Sequence, residues 1–318
     1  METPCLEIKH LKKYFDVPRG KLHAVDDITF QIMKGETMGV VGESGCGKST
    51  LGRTIIHQHE STDGQILFNG EDVTHVKGKK LRELRENMQI VFQDPYSSLN
   101  PRYTVETTIK EPLLLTHRYT RKELDEEVTR LMELCGIDQR LRLAYPHELD
   151  GGRRQRVGIA RALALNPQFV VCDEPVSALD VSIQAQVLNL LQDLQQQKGL
   201  TYMFVTHDLS VVRHISHKIC VMYLGQMVET CESKELFRAP MHPYTKALLS
   251  AIPSIDIHNP QKRIQLKGEI TSPINPKPGC RFAARCPYAT EACSQPQELT
   301  EVSPGHFVSC GRVKEING

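Results

Sequence analysis

No stretch of this 318-residue chain approaches the apolar length of a bilayer-spanning helix, about 20 residues. The start, Met1-Glu2-Thr3-Pro4-Cys5, has neither the basic nor the apolar region of a secretory signal. A cytosolic chain is therefore expected, with any membrane role coming through a partner. One charge sign hardly exceeds the other: 39 Lys and Arg face 38 Asp and Glu, a net of +1, so general affinity for nucleic acid is not indicated. Tryptophan is absent, while the apolar and charged fractions, 40% and 24%, are ordinary for a soluble globular chain. There is no C-x-x-C spacing among Cys280, Cys286, Cys293 and Cys310, which disfavours a standard zinc ribbon. In a reducing compartment the ten cysteines are expected to be thiols or metal ligands rather than disulfides.

What is present begins with Gly42-Glu43-Ser44-Gly45-Cys46-Gly47-Lys48-Ser49-Thr50, a match to G-x-x-x-x-G-K-[ST]. Thr37 to Val41 reads as a short buried strand before it, and Lys48 to Gln58 as a helix after it. Such a loop wraps backbone N–H groups around nucleotide phosphates, which sit at the helix N-terminus where unpaired donors and the helix dipole favour negative charge. Lys48 is expected to reach the β and γ oxygens, and the Ser49 hydroxyl to bind Mg²⁺. A Gly-rich turn that binds nothing is the bland alternative, and a second motif argues against it. Phe169-Val170-Val171-Cys172 reads as a strand buried on both faces, ending in Asp173, a candidate Mg²⁺ ligand. Glu174 comes next and is the candidate base for the attacking water. A further strand, Tyr202 to Thr206, ends at His207, placing it at the ligand edge of an open α/β sheet and in reach of a γ-phosphate.

Between these motifs the pattern turns helical. Thr120-Arg121-Lys122-Glu123 is a capping box, followed by Leu124, Val128, Leu131, Met132 and Cys135 at helical spacing. Ser182 to Gln197 repeats that pattern through Ile183, Val187, Leu190, Leu191 and Leu194. Asn69-Gly70 after Gln65-Ile66-Leu67-Phe68 marks a turn.

Ile90 to Asp94 reads as a strand ending in Gln93, Leu149-Asp150-Gly151-Gly152-Arg153 precedes a helix Val157 to Ala164, and Ser177-Ala178-Leu179-Asp180 follows Glu174 closely. Six motifs in this order resemble the ATP-binding subunit of ABC transporters, over roughly residues 5 to 235. That resemblance implies an α/β P-loop NTPase core, a β-rich N-terminal part, an inserted helical subdomain at about 94–165, and a small cysteine-containing C-terminal extension. The ATP-binding domain is expected over 5–254 and the extension over 255–318. By the same resemblance Gln93 senses the γ-phosphate and joins Ser49 and Asp173 around Mg²⁺, Asp180 lies in the D-loop, and His207 is the switch histidine. Phe15 is the implied adenine-stacking aromatic, with Tyr14 as the alternative register.

Phe92-Gln93-Asp94-Pro95-Tyr96-Ser97-Ser98-Leu99-Asn100-Pro101 and His242-Pro243-Tyr244-Thr245-Lys246-Ala247-Leu248-Leu249, then Ala251-Ile252-Pro253, narrow the likeness. Both look like the peptide and nickel importer family, most closely the F-type subunits of dipeptide or oligopeptide importers. The resemblance implies a second ATPase subunit in a heterodimer, two membrane permeases and an extracytoplasmic solute-binding protein, with no nucleic acid. It also implies a peripheral location on the cytoplasmic face of the inner membrane. Nickel or another small solute is the alternative cargo. A soluble, non-transport ABC ATPase is a rival, but it predicts a second nucleotide domain, a long coiled-coil insert or a basic arm, none of which is seen. A metabolic P-loop kinase needs no signature motif.

The usual signature is Leu-Ser-Gly-Gly-Gln. Here Asp150 replaces the Ser that, by resemblance, donates to the γ-phosphate of the other subunit, and Arg153 replaces the Gln. An ionised carboxylate only accepts hydrogen bonds and brings like charge toward phosphate, so a weakened but not abolished second ATP site is expected, with Gly151 and Gly152 retained and Arg153 compensating in part; harmless drift in a tolerant loop is the alternative. Beyond the turn-rich Thr271 to Gly279, the thiols of Cys280, Cys286, Cys293 and Cys310 suit zinc or an iron–sulfur cluster, or stay free. Several peptide-importer ATPases carry a C-terminal cysteine set that resembles this one and is linked to a 4Fe–4S cluster, which is what the resemblance implies here.

Overall fold

A computed structural model describes residues 3–252, 263–266, 268 and 272–318. The expected domain boundary at 254/255, and Pro253 and Thr271 of the quoted motifs, lie outside the described residues. The chain forms two compact units, Met1–His75 with Phe204–Gly318, and Val76–Met203.

The first unit opens with β1 (Leu6–Val17) and β2 (Gly20–Ile32), paired antiparallel from Leu6↔Ile32 to Val17↔Gly20. Their apolar residues alternate only at the far end from the hairpin, so the sequence pattern marks just Leu6 to Ile8 and Ile28 to Ile32 as strands. The pairing continues through charged residues, with a register irregularity near Leu11 where His10 and Asp27 take left-handed φ of 50° and 62°. β3 (Thr37–Val41) is buried at all five positions, as expected. The phosphate-loop helix α1 runs Lys48–Ile55 and stops short of Gln58. His57 takes φ 58°, and the Gln58 N–H bonds back to Arg53 O, a helix-ending pattern that periodicity does not show. β4 (Asp63–Phe68) turns at Asn69-Gly70 into β5 (Glu71–Asp72), completing a sheet of order β2-β1-β4-β5.

The second unit holds α2 (Gly78–Asn87), β6 (Met88–Val91), α3 (Pro95–Ser98), α4 (Val105–Thr116), α5 (Arg121–Leu134), α6 (Gly151–Leu163), β7 (Phe169–Asp173) and α7 (Val181–Lys198). β6 and β7 pair in parallel, Met88↔Phe169 to Val91↔Cys172. Both halves of the Thr120–Glu123 capping box form, and Leu124, Val128, Leu131, Met132 and Cys135 are all buried. α6 starts six residues before the expected Val157, because Asp150 caps it: its Oδ1 accepts the Arg153 N–H at 2.8 Å.

β8 (Thr201–Val205) carries the chain back to the first unit. There α8 (Leu209–Ile215), β9 (Lys218–Tyr223), β10 (Gln226–Glu232), α9 (Ser233–Arg238) and α10 (Pro243–Ser250) precede the extension, with β11 (Thr300–Ser303), β12 (His306–Val308) and α11 (Val313–Asn317). β3 pairs in parallel with β9, and β10 antiparallel with β9. β12 pairs with β10 through Glu229↔Val308 and Thr230↔Phe307, so the extension covers what would otherwise be an open sheet edge.

Candidate functional site

The phosphate loop is built by close backbone approach. At Gly47, φ 105°, an added Cβ would lie 1.9 Å from Ala24 O; at Gly42, 2.2 Å from Met222 O. Only glycine fits either position without displacing backbone. Gly47 gives α1 no side-chain cap and the first turn carries no acidic residue, so neither a cap side chain nor a first-turn carboxylate competes with an anion at the N-terminus. Lys48 is 4% exposed; its Nζ donates to Gly42 O at 2.9 Å and Glu43 O at 3.0 Å, inside the loop it must serve. The Cys46 thiol is buried and pushed up in pKa by that burial. Ser44 and Gly45 are exposed at the tip, and Ser49 and Thr50 begin α1 half-buried.

Two aromatic candidates lie on β1. Tyr14 is committed: its hydroxyl donates to Asp26 Oδ1, its ring stacks on His23 at 3.9 Å, and burial with the Asp26 bond drives its pKa up. Phe15 is half-buried, edge-on to His59 at 5.5 Å with Lys13 over its face at 4.7 Å. One face of Phe15 thus already carries a cation. His207 is exposed two residues beyond the end of β8, ahead of Asp208, which caps α8 by accepting from Ser210 N at 2.8 Å.

In the second unit Asp173 ends β7 and is 1% exposed. Glu174 follows with φ 49°, a left-handed backbone that costs a non-glycine residue about 1–3 kcal/mol and is typical of functional positions. Its Oε2 accepts from Gln93 Nε2 at 2.9 Å, so two residues predicted separately meet. Asp180 begins α7 from an exposed position without a side-chain cap bond. At the signature, Asp150 spends one carboxylate oxygen on the Arg153 N–H and holds Arg153 Nε at 3.3 Å with the other. Gly151 and Gly152 form the first turn of α6, and a Cβ at Gly152 would meet Ile183 Cγ2 at 2.5 Å. Asp150 thus caps α6 as a serine would and is paired with Arg153, the neighbour expected from sequence to offset its charge.

Cys280, Cys286, Cys293 and Cys310 line one small cavity with Phe282 and Arg312. Cys280 N–H donates to Cys293 O at 2.8 Å. Burial pushes the Cys280 thiol up to about 11 and raises Cys286 and Cys310 as well, with neighbouring thiols adding to it. Among the described residues, however, no three His, Cys, Asp or Glu side chains come together in an arrangement that holds a metal ion. Four thiols are nevertheless the donor number and chemistry that a soft metal centre takes.

Sequence reasoning missed the residues by which the extension and α10 hold the phosphate loop and the neighbouring strand β2. Arg285 Nη1 donates to Glu43 Oε2 at 2.7 Å, Tyr244 OH accepts the Glu43 N–H at 2.9 Å, and Arg281 pairs with Asp26. Arg285 and Glu43 are 242 positions apart, so no local pattern carries that pairing.

The comparisons with known proteins fit this geometry. The ABC transporter family profile matches residues 25–177, and the profile of the oligopeptide/dipeptide transporter C-terminal region matches 228–293. The oligopeptide transport ATP-binding protein AppF of Bacillus subtilis is 52% identical over 97% of both chains. The oligopeptide transport ATP-binding protein OppF of Salmonella typhimurium is 49% identical over 98% of this chain and 97% of its own. The chain belongs to the ABC transporter family of ATP-binding proteins. Solved relatives agree in fold. CbiO1 of Clostridium perfringens, part of the ABC transporter complex cbiONQ, has a TM-score of 0.67 at 28% identity, covering 75% of this chain and 92% of that one. The ATP-binding cassette MJ0796, in a post-hydrolysis dimer bound to ADP and Pi, has a TM-score of 0.65 at 26% identity, covering 72% of this chain and 98% of its own. No described helix is long and apolar enough to cross a membrane.

Proposed function

We propose that this chain is the ATP-binding, ATP-hydrolysing subunit that energises import of di- or oligopeptides through an ABC transporter. The observation that carries the reading is similarity at about half identity, along nearly the whole chain and including the C-terminal region, to oligopeptide transport ATP-binding proteins. In this reading the backbone of Gly42 to Thr50 cradles the phosphates, Lys48 neutralises the β and γ oxygens, and Phe15 stacks on adenine. Ser49, Asp173 and Gln93 would hold Mg²⁺, which supplies charge neutralisation at the phosphates. Glu174 accepts a proton from the attacking water, His207 contacts the γ-phosphate, and Asp150, Gly151, Gly152 and Asp180 face the nucleotide of a second ATPase subunit. That subunit, two permeases and a solute-binding protein complete the assembly, with this chain peripheral on the cytoplasmic side of the membrane. Nickel or another small solute is the alternative cargo, carried by the same ATPase chemistry.

The test is nucleotide binding by the full chain. Lys48→Ala removes the cation that the loop holds in place and is expected to weaken ATP binding at least about tenfold, or 1.4 kcal/mol, by calorimetry. Unchanged affinity would remove the phosphate loop as the ATP site.

For the four cysteines the proposed occupant is an iron–sulfur cluster, supported by four half-buried thiols around one cavity. Anaerobically purified protein is then brown, with iron and acid-labile sulfide that both fall in Cys286→Ser. Colourless protein with stoichiometric zinc replaces the cluster by a structural zinc site, and metal-free protein rejects both.

A further inference from the structure

We propose that Arg285 and Tyr244 are positioning residues for the phosphate loop, through which the C-terminal extension and α10 set the affinity for ATP. The inference rests on Gly42 to Thr50 being the ATP site. Glu43 is the second residue of that loop, and every polar group it has is engaged. Its N–H donates to Tyr244 OH at 2.9 Å, its carbonyl accepts from Lys48 Nζ at 3.0 Å, and its carboxylate accepts from Arg285 Nη1 at 2.7 Å. The residues that follow, Ser44 to Lys48, are those whose N–H groups cradle phosphates, so fixing the Glu43 peptide fixes where the cradle begins.

Both anchors pack against the same aromatic ring, Tyr223. Arg285 ends a 3-10 turn, Ala283–Arg285, between Cys280 and Cys286, and its side chain is 9% exposed. Phe282, just before the turn, is 1% exposed and packs edge-on to Tyr223 at 5.3 Å and against Tyr244 at 5.4 Å. Tyr244 is fully buried in the first turn of α10, where His242 caps the helix by accepting the Tyr244 N–H at 3.1 Å.

Charge gives the second half of the argument. A glutamate in a loop that receives polyphosphate repels its ligand unless a cation covers it. Lys48 is needed for the phosphates. Arg285 is the cation that meets the Glu43 carboxylate, and that bond raises its pKa further, so it stays charged at any physiological pH. The partnership leaves Lys48 to the nucleotide. It also places the cysteine-bearing turn one residue away from a group that acts on the ATP site.

The experiment is a double-mutant cycle on the full chain, reading ATP affinity by calorimetry and KM against kcat in the assembled transporter. R285M is expected to weaken ATP binding about tenfold, as loss of one charge-assisted hydrogen bond does, with kcat within about twofold of the parent. R285K recovers most of the loss. In an E43Q background, R285M changes affinity less than about twofold, because the charge it covered is gone. Y244F weakens binding a few-fold, about the effect of one neutral hydrogen bond. An R285M effect that is as large in E43Q as in the parent places Arg285's influence elsewhere and overturns the proposal, as does unchanged affinity in both R285M and Y244F. A drop in kcat alone, with KM unmoved, marks a loss of folded protein and overturns it too. Lys48→Ala measured alongside separates the two readings: if it also leaves affinity unchanged, the phosphate-loop assignment itself has failed.

Discussion

Glu174→Gln is expected to lower ATP turnover of the assembled complex by about 10²-fold or more while ATP binding persists, the scale of losing a general base. The reasoning starts from the backbone. β7 is buried throughout and ends at Asp173, so the next side chain emerges at the end of a parallel strand, where α/β folds place ligands. The left-handed φ of Glu174 is held against its intrinsic cost, and Gln93 Nε2 donates to its Oε2 at 2.9 Å. A glutamine there has the same shape and still offers a carbonyl oxygen to Gln93, so packing and the local bond survive. What is lost is the ability to take a proton from water. Turnover in the Gln variant equal to the parent, with the complex intact, would remove Glu174 from the chemistry. Loss of ATP binding as well would mean that the substitution disturbed the site rather than the proton transfer.

The parts of this site that could be read in the sequence are those encoded within a dozen residues. The phosphate loop needs a buried strand, glycines at fixed spacing and a helix start, and all three lie between Thr37 and Ile55. Asp173 with Glu174 and the Thr120 capping box are local in the same way. What periodicity could not supply were termination and distance. α1 ends early because His57 accepts a left-handed backbone, and α6 starts early because Asp150 is as good a cap as the serine it replaces. β1 and β2 run far beyond their apolar alternation because cross-strand pairing, not burial, carries the hairpin end. The helical insert expected at about 94–165 falls inside a larger compact unit, Val76–Met203, which also takes in β6, β7 and α7; contacts between parallel strands join segments that composition separates. Its turn-rich, cysteine-bearing composition marks the extension off from the rest of the sequence, yet its strand β12 and its arginines are partnered with residues 26, 43 and 229. Pairings over such separations leave no trace in one sequence.

Glu229→Ala is expected to destabilise the chain by about 3–5 kcal/mol, the range for removing one partner from a buried network built on a carboxylate. Glu229 is 0% exposed on β10, and its carboxylate is the shared acceptor for three donors: Met241 N at 2.8 Å, His242 N at 2.9 Å and His306 Nε2 at 2.7 Å. His306 is 1% exposed on β12 of the extension. One side chain therefore ties the sheet edge, the entry to α10 and the C-terminal hairpin together. Alanine leaves two backbone N–H groups and an imidazole buried without that acceptor, each costing about 1–3 kcal/mol before relaxation. Glu229→Gln keeps one acceptor oxygen and is expected to lose clearly less. Denaturant midpoints of the full chain measure the effect. A loss under about 0.5 kcal/mol, the size of a surface change, would show that water or rearrangement replaces the carboxylate. The consequence reaches the ATP site by a short route. His242, whose N–H Glu229 holds, caps α10, and Tyr244 in the first turn of that helix accepts the Glu43 N–H. Glu229→Ala should therefore weaken ATP binding even at temperatures where the chain remains folded, and Glu229→Gln should weaken it less, in the same order as their stabilities.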